Sequence, residues 1–444
     1  MLIFASKTNN YTRSYGTQSM FLNKLSLLMF LQASLIYTSV SVAQESWTQW
    51  RGPQRTGIIQ NSSWPNSFDK KNLDPAWSSN FGPSYSGPLA IDGLVYTTET
   101  QGNKWEVVTA LDLNTGAKRW EKKWEGAMTV PFYAKANGDW IRATPAIHKG
   151  RLYVAGMKDL LVCLDAKTGK DLWVKDFVKE FKTPIPSFGY VSSPLPDGDF
   201  LYVQAGAGLV KLNAETGEIL WRSLSDKGGT YGSAFSSPII ETLHGERQLI
   251  VQTRQYLAGL DLDSGSILWK QEVPAFRGMN IITPCRYKSG FFISAYGGGT
   301  SYLEIQKTEN GYRTQEKWKT TIQGYMSTPI IVGKYAYMHL RNQRVTCIDI
   351  ETGKTQWTST PFGKYWSMVS DGNRILGLDE AGTLYLLNAN PEKLEILDSY
   401  KLDTSNTWAH IGIVNGHILI RDLRQLICLK WKENISITPS NTTN

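Results

Sequence analysis

One ten-residue pattern constrains this chain more than any other feature. LDLNTGAKRW occupies residues 111–120, and variants return as LDAKTGKDLW at 164–173, LNAETGEILW at 212–221, LDLDSGSILW at 260–269 and IDIETGKTQW at 348–357. Similarity at a roughly fixed period is the mark of a repeat fold, so the 444 residues read as one large array rather than several unrelated domains.

Each copy reads as a strand, a tight turn and a returning strand. In DLLVCLDAKTGKDLWVKDF the alternating run to Leu164 is one strand, AKTG the turn and KDLWVKDF the return. The glycine supplies the positive φ of the hairpin, the preceding Thr or Ser can bond turn backbone, and the Asp or Asn at the second position can accept turn N–H groups. The acid is thereby accounted for without catalysis. The terminal Trp falls on the outer strand, where its ring can cover the neighbouring unit and its indole N–H find a partner at the rim.

A second signature precedes each copy: SGP at Ser86, ATP at Ala143, SSP at Ser192 and Ser236, ITP at Ile282 and STP at Ser327. It opens a strand, where a proline removes no ladder N–H, and a turn such as HKG then leads into a second strand. Four antiparallel strands per unit result. The terminal tryptophans Trp120, Trp173, Trp221, Trp269, Trp318 and Trp357 lie 39–53 residues apart, about one propeller blade each. Trp318 closes a worn copy with an enlarged turn, and a seventh unit, RILGLDEAGTLYLLNANPEKLEIL, has lost its Trp. The eighth, IGIVNGHILIRDLRQLICLKW, has three strands, and DPAWSSN with Trp77 is expected to supply the fourth and close the ring. The expected architecture is an all-β, eight-bladed β-propeller of four-stranded antiparallel blades.

The ends read differently. Lys24, the apolar run 25–37 and small residues Ser41 and Ala43 have the layout of a signal peptide cleaved after Ala43, with Met20 a plausible start. The boundaries expected are a leader at 1–43, an N-terminal extension at 44–76, the propeller at 77–431 and a polar tail at 432–444. Removing Lys7, Arg13 and Lys24 brings the net charge from +8 to about +5, a mild excess without the basic run that nucleic acid would need. Nothing after the leader reaches the roughly 20 apolar residues of a membrane-crossing helix, and no Cys stands where a bacterial lipobox requires one. Cys163, Cys347 and Cys428 each precede the Leu or Ile that opens a repeat, a slot held by Ala110, Gly259 and Lys211 elsewhere, so they are expected as separate buried thiols. Cys285 stands apart.

Residues 110–120, ALDLNTGAKRW, resemble the tryptophan-docking repeat of quinoprotein-type, PQQ-like eight-bladed propellers, a family that includes quinone-dependent alcohol dehydrogenases and BamB-like outer-membrane assembly factors. The stretch WTQWRGPQRTG at 47–57 is similar to that of secreted bacterial members. The resemblance implies the fold, with Trp77, Trp120, Trp173, Trp221, Trp269, Trp318 and Trp357 as structural docking residues. It also implies what an enzyme of the family would carry: adjacent cysteines beside the PQQ cofactor and a calcium held by acidic and amide side chains. No two cysteines here are neighbours.

Other chemistry is thin. The histidines His148, His244, His339, His410 and His417 have no metal-ligand spacing, YGGGTSY at 296–302 lacks the phosphate-loop pattern, and Asp379–Glu380 reads as a solvated turn. No catalytic residue, metal or cofactor is expected. The loops entering the innermost strands carry an aromatic in nearly every unit: Tyr85, Trp140, Tyr190, Phe235, Phe276, Tyr325, Trp366 and Trp408, with Arg142, Arg277 and His410 adding charge and hydrogen bonds. Gathered at one channel mouth, they could stack sugars, peptides or planar ligands; equally, they could plug the channel. The resulting expectation is an exported, soluble, monomeric envelope protein, periplasmic or extracellular and not a lipoprotein. It would act as a binding or scaffold module for an envelope protein or a small-molecule or carbohydrate ligand. The alternative is an enzyme at the same funnel, either PQQ- and calcium-dependent or carbohydrate-active.

Overall fold

Eight four-stranded antiparallel sheets follow one another around a central axis in the computed structural model, which describes residues 46–59, 64–228 and 234–431. The leader and the polar tail lie outside the described residues. Blade 1 runs from Leu89–Ile91 to Lys118–Glu125, and blade 7 from Trp366–Ser370 to Ile396–Lys401. Blade 8 takes three strands from the C-terminal end and its outermost from Leu73–Asn80, which pairs antiparallel with Gln425–Trp431 and sets Trp77 opposite Cys428. The chain ends are thus locked in one sheet. The strand begins four residues before position 77 because Leu73 is buried against the end of its partner strand at Trp431.

The acidic residue of the decapeptide caps its own turn: Asp112 Oδ1 accepts from the backbone N–H of Asn114 (3.0 Å) and Thr115 (2.9 Å), and Asp165, Asn213, Asp261 and Asp349 accept in the same way. The turn glycine has a second duty. A Cβ on Gly169 would lie 2.6 Å from the ring of Trp120 in the preceding blade, so its bare face is the shelf on which that indole rests. Gly116, Gly217, Gly265 and Gly353 serve Trp77, Trp173, Trp221 and Trp318 alike. The indole N–H then reaches a carbonyl of the following blade: Trp77 to Leu113 (2.7 Å), Trp120 to Ala166 (3.1 Å), Trp173 to Ala214 (3.3 Å), Trp318 to Ile350 (2.7 Å) and Trp357 to Asn390 (2.9 Å).

Two tryptophans depart from this geometry. The carbonyl that Trp221 would use, on Leu262, is taken by the Lys211 ammonium (2.7 Å) and the Tyr202 hydroxyl (3.3 Å), leaving the Trp221 N–H without a partner among the described residues. Trp269 turns back into its own blade and donates to Gln248 (2.7 Å). Its neighbour, blade 5, extends its two outer strands to ten residues each, Gly299–Thr308 and Gly311–Thr320, which carries the tight turn outward and leaves Gly311 with nothing within 4 Å of a Cβ, so its glycine is no shelf for an indole. The inward rotation explains Gly259: a Cβ there would lie 2.2 Å from the Trp269 indole nitrogen. The slot before each repeat is the residue cross-strand from the Trp, as in Ala110–Trp120, Cys163–Trp173 and Cys347–Trp357. Crowding by the indole keeps it small. All four cysteines are free.

A bond lost from a blade joint should be measurable by substitution at matched sites. Trp173→Phe is expected to cost about 1 kcal/mol more than Trp221→Phe in urea unfolding, since only Trp173 forfeits an indole hydrogen bond. Equal losses would show that the carbonyl contact contributes nothing.

Candidate functional site

The S/T-P signature builds the hub. A residue before proline is held in extended backbone, and here its N–H points sideways to the hydroxyl of the corresponding residue in the next blade. Gly87 donates to Thr144 (3.0 Å), Ser193 to Ser237 (2.9 Å), Ser237 to Thr283 (3.2 Å) and Thr283 to Thr328 (3.1 Å). These links tie neighbouring blades together around the axis, inside the ring of tryptophans.

The segment at residues 47–59 enters this hub and closes it from one side. Trp47 pairs with Ala90 of blade 1 through two backbone hydrogen bonds of 2.7 and 2.9 Å, and the Thr48 carbonyl accepts from Ile147 of blade 2 (2.7 Å). Arg55 donates to the carbonyls of Ser193 (3.0 Å) and Pro194 (2.7 Å) in blade 3, and Arg51 to those of Thr328 (2.6 Å) and Pro329 (2.7 Å) in blade 6. Gly57 and Ile59 bond Ser370 of blade 7. Both arginines sit at positive φ, 60° and 58°, a conformation costing about 1–2 kcal/mol for a residue with a Cβ. Their bonds to opposite walls hold them there. Gly52 lets the chain turn between them, because a Cβ would strike the Trp47 ring at 2.8 Å.

Opposite the plug the hub opens into a cavity of about 210 Å³. Trp50 lies at the plug side, edge-on to His410 (ring centroids 5.4 Å, 87°), with the Arg51 and Arg55 guanidiniums 5.6 and 5.5 Å from its ring. Tyr85 stacks on Trp408 at 4.5 Å, Tyr365 packs on the same indole, and Phe188 meets Phe235 at 5.6 Å. Thr144, Ser193, Ser237, Thr283 and Thr328 present their side chains between these rings.

Of the residues singled out in the sequence, Tyr85, Arg142, Phe235, Trp408 and His410 line this cavity, and Trp140, Tyr190, Arg277, Tyr325 and Trp366 do not. Trp140 packs edge-on behind Tyr85 at 5.3 Å. Tyr190 is buried below the wall, and Trp366 opens the innermost strand of blade 7 with its ring stacked on Tyr385 and His339. Tyr325 and Arg277 belong to the outer rim, where Tyr296, Tyr325 and Tyr365 form a chain of rings and the Arg277 guanidinium sits 5.2 Å from the Phe276 ring. In three loops the lining side chain is the immediate neighbour of the chosen aromatic: Val191, Met326 and Tyr365. Loop backbone, not side-chain type, decides which of two adjacent residues faces inward. Trp50, Phe188, Arg51 and Arg55 were missed, although two tryptophans and two arginines within WTQWRGPQR are an unusual density for a linker.

Burial governs the electrostatics. It pushes the His410 imidazole down to about 3, with the Arg51 charge acting in the same direction, so the ring is neutral. It also lowers Arg51 and Arg142 to about 10 and Arg55 to about 9, leaving all three charged at neutral pH. The cavity lining contains no carboxylate. Calcium needs six to eight oxygens, several of them carboxylate, and among the described residues no three His, Cys, Asp or Glu side chains converge. The four cysteines lie in four different blades. These residues do not fit a calcium-bound quinone.

The fold and hub define an eight-bladed propeller with an aromatic cavity at one side of its hub and its own N-terminal segment, bonded to five of the blades, at the other. Residues 103–359 match the family model described as outer membrane protein assembly factor BamB, more than half of the chain, and the chain belongs to that family. It is 24% identical over 279 residues to the outer membrane protein assembly factor BamB of Shewanella oneidensis, covering 56% of this chain and 67% of that protein. The quinohemoprotein alcohol dehydrogenase of Comamonas testosteroni is 28% identical over 172 residues, which span only 23% of the enzyme. The crystal structure of BamB from Moraxella catarrhalis superposes with a TM-score of 0.58 at 14% identity, covering 81% of this chain and 98% of that one, and so shares the fold. No helix among the described residues is long and apolar enough to cross a membrane.

The buried imidazole predicts a pH effect on stability. Unfolded His410 takes up a proton near pH 6.5 and the folded residue only near 3, so between those values the unfolded state binds more protons and stability falls as pH falls. His339, lowered to about 4, acts in the same direction. Relative to wild type, His410→Gln is expected to lose about 2 kcal/mol less on going from pH 7 to pH 5 in urea unfolding; parallel pH profiles would contradict a buried neutral imidazole.

Proposed function

We propose that this chain is a non-catalytic binding or scaffold module of the bacterial cell envelope, exported by its leader and working as a soluble monomer without a lipid anchor. It holds a protein or small ligand at the aromatic mouth. The observation carrying this reading is the aromatic cavity opposite the segment at 47–59, and exposed Phe276 and Tyr133 extend its aromatic surface outward. Aromatic side chains presented on a rigid ring supply large contact area at little entropic cost. The family match to an outer membrane assembly factor supports the envelope assignment, and the missing carboxylates weigh against the dehydrogenase alternative.

The test places a photo-crosslinking side chain at Phe276, with Val174 on the outer rim as control. A defined envelope partner should be captured at Phe276 and not at Val174, and Trp408→Ala should reduce that capture by about 30-fold or more, as for an aromatic hot spot, without lowering the melting temperature enough to unfold the protein. Equal capture at both positions, or a mouth variant that captures as wild type, refutes the mouth as the contact surface. A red-shifted quinone spectrum with dye-linked alcohol oxidation after adding PQQ and calcium would move the protein to the enzyme class.

A further inference from the structure

Three arginines stand at the hub: Arg51 and Arg55 are buried in the plug, and Arg142, partly exposed with Asp139 acting on its charge, lines the cavity. Arg51 donates to the carbonyls of Thr56, Thr328 and Pro329, and Arg55 to Gln49 and the carbonyls of Ser193 and Pro194. Neither forms an ion pair among the described residues. Arg142 is tied by Nε to the Trp140 carbonyl (3.2 Å) and by Nη2 to the Gly138 carbonyl (2.8 Å), which fixes the guanidinium plane. Its Nη1 has no partner among the described residues, and the side chain lines the cavity. Arg51 and Arg55, removed from water without an ion pair, stand against Trp50 at the plug side, and Arg142 is the arginine that faces the cavity. His410 contributes a polar edge without a charge. Ser367 Oγ accepts from the Ile411 N–H (3.1 Å) and lies 3.4 Å from His410 Nδ1, so the hydroxyl proton can go to Nδ1 and leave Nε2–H as a donor.

The rest of the lining interleaves aromatic and apolar side chains with Asn137 and the hydroxyls of Thr144, Ser193, Ser237, Thr283 and Thr328. Trp50, Phe188, Phe235, Met279 and Trp408 surround a space of about 210 Å³, below the roughly 300–1,000 Å³ of drug-sized sites. That volume suits one ring and a short acidic arm.

We propose that the hub cavity binds a small single-ring organic carboxylate, its acid group on the Arg142 guanidinium and its ring among the aromatic walls. The inference rests on the mouth being this protein's binding surface and names the ligand class that the cavity beneath it accepts. Arg142 supplies two constraints at once: it fixes the direction of the anion and excludes the isosteric amide, which brings no charge to pair with the guanidinium.

Phenylacetate and its neutral isostere 2-phenylacetamide, titrated calorimetrically into the purified protein, test this directly. Phenylacetate is expected to bind with a dissociation constant of about 1 mM or tighter and at least about tenfold more tightly than the amide. Arg142→Gln should remove that discrimination, and Arg142→Lys should restore part of it. Met279→Trp fills the cavity and leaves every charge in place, so it should abolish acid binding even if Arg142→Gln proves too unstable to study. Equal affinity for acid and amide, acid binding unmoved by Met279→Trp, or no saturable binding overturns the proposal. Partner capture at Phe276 that survives such a failure would leave the binding-module reading standing and remove only the acid.

Discussion

Eight sheets converging on one axis bring eight innermost strand edges together, each with backbone groups that must find partners away from bulk water. The way this molecule satisfies them fixes most of its other features. Pre-proline hydroxyls receive N–H groups from neighbouring blades, and the segment at 47–59 pairs with blades 1, 2, 3, 6 and 7. Filling one end this way leaves the other as a cavity, with Trp50 of the filling segment on its plug side and Arg142 as its lining arginine. Structure and candidate site therefore share one cause.

The outer ring was far easier to read than the hub. A glycine that must accept an indole and an acid that must cap a turn recur at fixed spacing, because every joint solves the same packing problem. The tryptophan that breaks the pattern, Trp269, was not legible from its own decapeptide, which looks normal; the cause is the long hairpin of the next blade. Position 211 is the converse case, since a lysine in a slot otherwise small was visible, and its effect on the neighbouring Trp221 was not. The proline signature could be read as a strand opening, but its lateral hydrogen bonds depend on the curvature of the whole ring. For the mouth, composition identified the loops and missed the parity within them, as Tyr365 beside Trp366 illustrates.

The positive hub has the same origin as its stability. Arginine can satisfy several carbonyls at once with a rigid fork of donors, and Arg51 reaches two residues of one blade that stand about 280 positions further along the chain. No carboxylate on these walls could do that work, since carbonyl-rich edges need donors. The charge left beside Trp50 is a by-product of that bonding.

Joining Leu73–Asn80 to Gln425–Trp431 also sets an order of events. That sheet cannot be completed until the last strand has been synthesised, and closing a loop of this length costs about 5 kcal/mol of chain entropy before any contact repays it. Until then the eighth wedge is absent, its neighbours on both sides lie bare, and the plug has only part of its socket. Assembly of the wheel is therefore expected to be late, slow and all at once, with truncation of a few residues at Trp431 far more damaging than its distance from the mouth would suggest.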